Sequence, residues 1–168
     1  MSAAIILTLA ACLAASFYDV RARRIPNWLT GSVALAALGL HTLDGFAAAA
    51  VSLAVMLVLT VAGTLVYARG GIGGGDVKLA IATSGMLSYP LCVPFLLYTA
   101  IGGGLLAVLF LIFRADSRPS LSRITLIAAG AGGLAATRTT LPYALAFAFG
   151  AVVVALSQSA LPFLRINV

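Results

Sequence analysis

The sequence predicts an all-α integral membrane protein, folded as a bundle of about six transmembrane helices. Of its 168 residues, 62% are hydrophobic and only 8% are charged, and the mean hydropathy is +1.16. A soluble domain carries about a quarter charged residues, which help to cover its water-facing surface. Each crossing needs roughly 20 apolar residues, so such a bundle occupies nearly the whole chain. We therefore expect a single membrane-embedded domain over residues 1–168.

Short polar stretches divide the chain into successive apolar segments. These segments cover residues 3–18, 28–40, 46–67, 79–87, 91–113 and 142–161. The sequence Ser88-Tyr89-Pro90 predicts a turn between the fourth and fifth segments. No basic stretch precedes the first segment, so we interpret it as a crossing and not as a signal peptide. Residues 124–136 are apolar but short and lie between arginines, which favours a re-entrant or interfacial segment.

Basic residues predict which loops face the cytoplasm. The net charge is +6, from ten Lys and Arg against four acidic residues. If residues 19–27 form a cytoplasmic loop, alternating crossings place every basic residue inside except Arg165. The N-terminus and the polar patch 41–45, which includes His41, then face outward. Because this bias accounts for the charge, we expect contact with anionic lipid and no nucleic-acid partner.

Four aspartates supply all the acidic groups, and two of them occupy special positions. Asp44 and Asp116 fall in predicted loops and are interpreted as solvated. Asp19 and Asp76 each lie where an apolar helix meets a cytoplasmic loop, so both lie at one depth on one side. A carboxylate at the hydrocarbon edge is a functional hypothesis by default. Two that meet can share a proton and hydrolyse a peptide as aspartic proteases do. Alternatively, both simply end helices beside arginines.

A glycine-rich stretch directly precedes Asp76. Five of the six residues from 70 to 75 are glycine, which permits unusual backbone conformations and close approach of a substrate backbone. The stretch also predicts Asp76 as the N-cap of the next helix, where the helix dipole favours its charge. A phosphate-binding loop is not indicated, because no strand precedes the glycines and no Gly-Lys-Ser/Thr ending follows.

Two motifs carry a resemblance to a known family. Residues 73–78 read Gly-x-Gly-Asp-x-Lys, and residues 19–27 read Asp, five residues, then Ile-Pro-Asn. Near the C-terminus, Leu141-Pro142-Tyr143 and a small-residue helix with Gly150 are similar to that family's final segment. Together these stretches resemble the type IV prepilin peptidases, which are membrane aspartic peptidases. The chain looks like the short form associated with tight-adherence (Flp) pili, without the N-terminal Cys-x-x-Cys domain of many relatives.

The resemblance implies an activity and a set of functional residues. It implies that Asp19 and Asp76 are the catalytic pair of an endopeptidase. This enzyme would cut the leader from Flp-like prepilins at the cytoplasmic face of the bacterial inner membrane. The residues expected to support catalysis or bind substrate are Gly73, Gly75, Lys78, Pro26, Asn27 and Arg24. The expected partners are a prepilin or pseudopilin precursor, membrane lipid and the pilus assembly machinery. No metal and no organic cofactor are implied, and methylation of the product is left open.

Several of these roles have an alternative. Pro26 suits a first helical turn, and Asn27 can bond nearby backbone. Lys78 either offsets the charge of the aspartates or binds substrate carbonyls, or it anchors the topology. Arg24, with its neighbouring arginines, either steers an acidic substrate residue or is a positive-inside anchor. Cys12 and Cys92 are interpreted as small apolar filler.

Three other functions remain as alternatives. A proton- or cation-coupled transporter would place its acidic residues near mid-membrane. A non-catalytic pilus or secretion assembly factor would not need both motif aspartates. A presenilin-like intramembrane protease shares Gly-x-Gly-Asp but would place its first aspartate within a helix, without Ile-Pro-Asn.

Overall fold

The computed structural model describes residues 2–70, 72–113 and 143–160, which form five α-helices. The helices are α1 Ala3–Ala22, α2 Asn27–Leu43, α3 Phe46–Ala68, α4 Gly74–Phe113 and α5 Ala144–Ala160. The predicted all-α class is confirmed over these residues. The short apolar stretch 124–136 lies outside the described residues, as do Asp116, Leu141, Pro142 and Arg165.

Length and hydropathy make three of these helices candidates to cross a membrane. They are Ala3–Ala22, Phe46–Ala68 and Gly74–Leu109, and the shorter Ala144–Gln158 is also apolar. The buried residues of α3 are Ser52 and Met56, while most of its large apolar side chains are exposed. Such a continuous apolar surface fits lipid and not water. The membrane assignment is therefore supported, and the number of six crossings stays a prediction.

The turn predicted at residues 88–90 is present as a break inside α4. Ser88 has a left-handed φ of 55°, and Tyr89 is extended, with φ −80° and ψ 140°. Before the break, the helix packs on α3, where Val77 faces Gly63. After it, Gly103 lies beside Ala146 in the first turns of α5. The part of α4 before the break thus contacts α3, and the part after it contacts α5.

Small residues hold the helices close together at two places. Gly85 lies beneath Met56 of α3, and a Cβ at Gly85 would be 2.2 Å from the Met56 methyl. The Ser52 hydroxyl reinforces this contact by donating to the Gly85 carbonyl at 2.8 Å. Gly150 of α5 faces Thr99, whose backbone nitrogen would lie 3.0 Å from a Cβ there. Close backbone approach of this kind is how membrane helices associate without a hydrophobic driving force.

His41 was expected in an outer loop, and this expectation is wrong. Helix α2 continues through Leu43, so His41 lies in its last turn. Its Nε2 atom lies 3.1 Å from the Met86 carbonyl oxygen, and its Nδ1 atom lies 3.6 Å from an Asp44 carboxylate oxygen. The helix extends because the imidazole finds a carbonyl partner on α4. His41 therefore ties the end of α2 to α4.

Candidate active site

Asp19 lies in the last turn of α1 and is half-buried. The helix ends at Arg23, which has a left-handed φ of 50° and donates its backbone N–H to the Asp19 carbonyl at 2.8 Å. The Asp19 side chain points to α5, where its Oδ2 accepts the backbone N–H of Ala144 at 3.3 Å. Ala144 is the first residue of α5, so its N–H has no partner within the helix. The start of α5 therefore supplies a donor that orients Asp19.

Asp76 lies in the first turn of α4 and not at its N-cap, which corrects the expected position. The helix begins earlier than predicted, because Gly74 and Gly75 themselves adopt helical conformation. The half-buried Asp76 side chain folds back over Gly73, where a Cβ would lie 2.9 Å from Oδ2. A side chain at residue 73 would therefore displace the Asp76 carboxylate from this position. A carboxylate in the first turn also benefits from the helix dipole.

Asp19 lies near the end of α1, and Asp76 lies near the start of α4. Their carboxylates are close enough to repel each other when both are charged. Both are half-buried, whereas the Asp44 side chain, beyond the far end of α2, is 70% exposed. Two carboxylates in this relation can hold one proton between them and act as a base and an acid. Within residues 2–70, 72–113 and 143–160, no three His, Cys, Asp or Glu side chains are grouped to hold a metal ion.

Lys78 joins the two motifs. Its Nζ atom donates to the Asn27 side-chain oxygen at 2.9 Å. Asn27 was expected to bond nearby backbone, but this long-range contact takes its side-chain oxygen instead. Pro26 is the N-cap residue of α2, one position before the expected first turn, and its carbonyl accepts the Leu29 N–H at 3.1 Å. The Lys78–Asn27 bond therefore fixes the start of α2 against the start of α4.

The glycines allow α4 to begin in a crowded place. A Cβ at Gly75 would lie 3.4 Å from the Ile25 Cβ, so Gly75 packs against the Ile-Pro-Asn loop. A Cβ at Gly74 would lie 3.3 Å from the Tyr67 ring near the end of α3. Arg24 is exposed on the loop between α1 and α2. The glycine residues of the motif thus serve packing between elements as well as space beside Asp76.

Ser16 is part of this site, although the sequence did not single it out. Its buried hydroxyl shares its single proton between the carbonyl oxygens of Cys12 at 2.7 Å and Ala144 at 2.9 Å. The available signal was its position three residues before Asp19, which places both on one face of α1. Nothing in the sequence indicated that Ala144 would lie against that face.

Residues 6–108, more than half of the chain, match the sequence model of the type IV leader peptidase family. The chain belongs to the type IV leader peptidase family. The family assignment made from the two aspartate motifs is thereby confirmed, and it makes the chain a peptidase of the leader peptidase type. The matched range contains both motifs and ends before α5, so the resemblance of residues 141–143 and Gly150 stays a prediction. Comparison of this leader peptidase with curated proteins and with solved structures gives no match.

Proposed function

We propose that this leader peptidase is an aspartic endopeptidase that removes the leader from Flp-like type IV prepilins. Asp19 and Asp76 are its catalytic pair. The observation that carries this proposal is that two half-buried carboxylates, one from each motif, lie close enough to repel each other when both are charged. Membership of the type IV leader peptidase family supports the substrate class. A single domain over residues 1–168 performs the reaction.

In the proposed reaction, the two carboxylates share the proton transfers. The charged carboxylate takes a proton from a water molecule, and the water oxygen attacks the scissile carbonyl carbon. The protonated carboxylate donates its proton to the carbonyl oxygen, which gives a neutral tetrahedral intermediate. When the C–N bond breaks, a proton passes to the leaving amine and the carbonyl forms again. No covalent bond to the protein is made at any step.

The surroundings of the pair favour an extended precursor backbone. Gly73 carries no side chain beside the Asp76 carboxylate, which leaves room for a peptide to approach. Arg24 is exposed on the loop that follows α1, where positive charge attracts an acidic residue of the precursor. By the positive-inside bias, this end faces the cytoplasm of a bacterial inner membrane. The precursor and the pilus assembly machinery therefore meet the enzyme at the cytoplasmic face.

The test is cleavage of a co-expressed Flp-type prepilin in membranes. We expect Asp19→Asn and Asp76→Asn each to lower the cleavage rate about a hundredfold or more, because each removes one acid–base group. Asp44→Asn is the matched control, since it changes an exposed aspartate away from the pair and is expected to cleave like wild type. Wild-type cleavage by either Asp19→Asn or Asp76→Asn would show that the pair is not catalytic.

A further inference from the structure

We propose that Ser16 is a positioning residue that orients Asp19 through the first residue of α5. The inference rests on the proposed catalytic role of Asp19. The Ser16 hydroxyl donates to the Ala144 carbonyl oxygen at 2.9 Å, while the Ala144 N–H donates to Asp19 Oδ2 at 3.3 Å. Helix α1 therefore holds both backbone polar groups of Ala144, one with the serine and the other with the aspartate.

The spacing of Ser16 and Asp19 on α1 allows both residues to bond Ala144. Ser16 and Asp19 are three residues apart and lie on one face of the helix. The Cys12 carbonyl lies 2.7 Å from the same hydroxyl and shares its single proton, so the Ser16 oxygen lies between the two carbonyls. Ala144 is fully buried between them, so it has little freedom to move sideways. The hydroxyl therefore fixes the start of α5 relative to α1, and with it the N–H that the carboxylate accepts.

The bond from Ser16 is an additional bond and not one that the fold requires. The Ala144 carbonyl lies within α5, where the N–H four residues later is its ordinary partner. Removal of the hydroxyl leaves no buried carbonyl without a donor. Replacement of Ser16 by alanine should therefore preserve the folded protein while loosening the start of α5.

Thr8 offers a comparison on the same helix. Its hydroxyl is also buried, but it donates to the Ala4 carbonyl at 2.8 Å, within α1. This bond spans four residues of one helix and reaches no other element. A variant without the Thr8 hydroxyl therefore shows how the loss of a buried hydrogen bond within α1 affects cleavage, without a change in the contact to α5.

The two hydroxyls should differ in their effect on catalysis. Without Ser16, the N–H of Ala144 moves relative to Asp19, and the carboxylate loses its fixed orientation toward the attacking water. Small misplacement of a catalytic group lowers the chemical step by about ten- to a hundredfold. Ser16 is buried away from the precursor, so the KM for the precursor should stay unchanged.

The experiment measures kcat and KM for a Flp-type prepilin with wild type, Ser16→Ala, Ser16→Thr and Thr8→Val in membranes. We expect Ser16→Ala to lower kcat by about tenfold or more at unchanged KM, with Ser16→Thr recovering most of the loss. Thr8→Val should keep wild-type kcat. Equal losses in Ser16→Ala and Thr8→Val would overturn the inference, and so would a raised KM with unchanged kcat.

Asp19→Asn in the same series separates this inference from the proposed function. If wild type cleaves, Asp19→Asn does not, and Ser16→Ala cleaves at the wild-type rate, the positioning role of Ser16 is wrong and the catalytic pair stands. If Asp19→Asn cleaves at the wild-type rate, the proposed function itself fails, and the role of Ser16 fails with it.

Discussion

At the scale of single residues, the site combines side chains that the sequence indicated with contacts that it did not. Asp19 and Asp76 were predicted to meet, because both lie at helix–loop junctions on one side of an alternating topology. The Lys78–Asn27 bond and the Ala144 donor were not predicted. Each joins residues far apart in the chain, and no local pattern reports such a contact.

The Lys78–Asn27 bond gives a prediction at this scale. Lys78→Ala and Asn27→Ala should each lower the cleavage rate by about tenfold, because the starts of α2 and α4 lose their link. The double variant should be no slower than either single variant, since both remove the same bond. Cleavage of a Flp-type prepilin by the four proteins measures this coupling.

Arg69→Ala is the control for charge alone, because Arg69 is another exposed basic residue near the end of α3. It should cleave at nearly the wild-type rate. If it is as slow as Lys78→Ala, or if the losses from Lys78→Ala and Asn27→Ala multiply, Lys78 acts as a positive charge and not through Asn27.

At the scale of helices, the sequence located the apolar segments better than their ends. The turn at residues 88–90 was predicted from serine and proline and is found as the break in α4. Helix α2 ends later than predicted and α4 begins earlier, because polar or glycine residues that were predicted to form loops are helical. His41 shows the reason: it bonds the Met86 carbonyl on another helix, and this tertiary contact outweighs local polarity.

The contact of Gly63 with Val77 gives a prediction for the packing of α3 on α4. A Cβ at Gly63 would lie 2.6 Å from Val77 Cγ1, next to Asp76. Valine has one preferred rotamer in a helix, so it cannot easily turn away. Gly63→Ala should therefore destabilise the protein by about 1–3 kcal/mol and slow cleavage. Thermal unfolding and cleavage assays of the purified protein measure both effects.

A compensating change makes this prediction specific. Adding Val77→Ala to Gly63→Ala removes the clashing methyl group and should restore most of the stability and activity. Gly104→Ala on α4 is the control, because nothing lies within 4 Å of a Cβ there. Wild-type behaviour of Gly63→Ala, or no recovery in the double variant, would contradict the proposed packing.

At the scale of the whole molecule, composition alone indicated a membrane protein, and the exposed apolar surface of the helices agrees. The predicted orientation rests on the distribution of basic residues and stays a prediction. The relative placement of helices did not follow, because contacts such as Gly150 against Thr99 depend on shape and not on periodicity.

The orientation predicts which engineered cysteines react from each side. Asp44→Cys should react with a membrane-impermeant maleimide added to spheroplasts, because Asp44 is exposed and predicted outside. Arg69→Cys, also exposed, should react only after the membranes are opened. The native Cys12 and Cys92 are buried and should give little background. The reverse pattern would place the aspartate pair outside the cytoplasm.

The most direct test of the central claim compares Asp19→Asn, Asp76→Asn and the double variant in long cleavage time courses of a Flp-type prepilin. Groups that act as one unit lose activity together, so their losses do not multiply. We predict that the double variant retains the same residual rate as each single variant. A double variant slower by the product of the two single losses would contradict a shared catalytic pair.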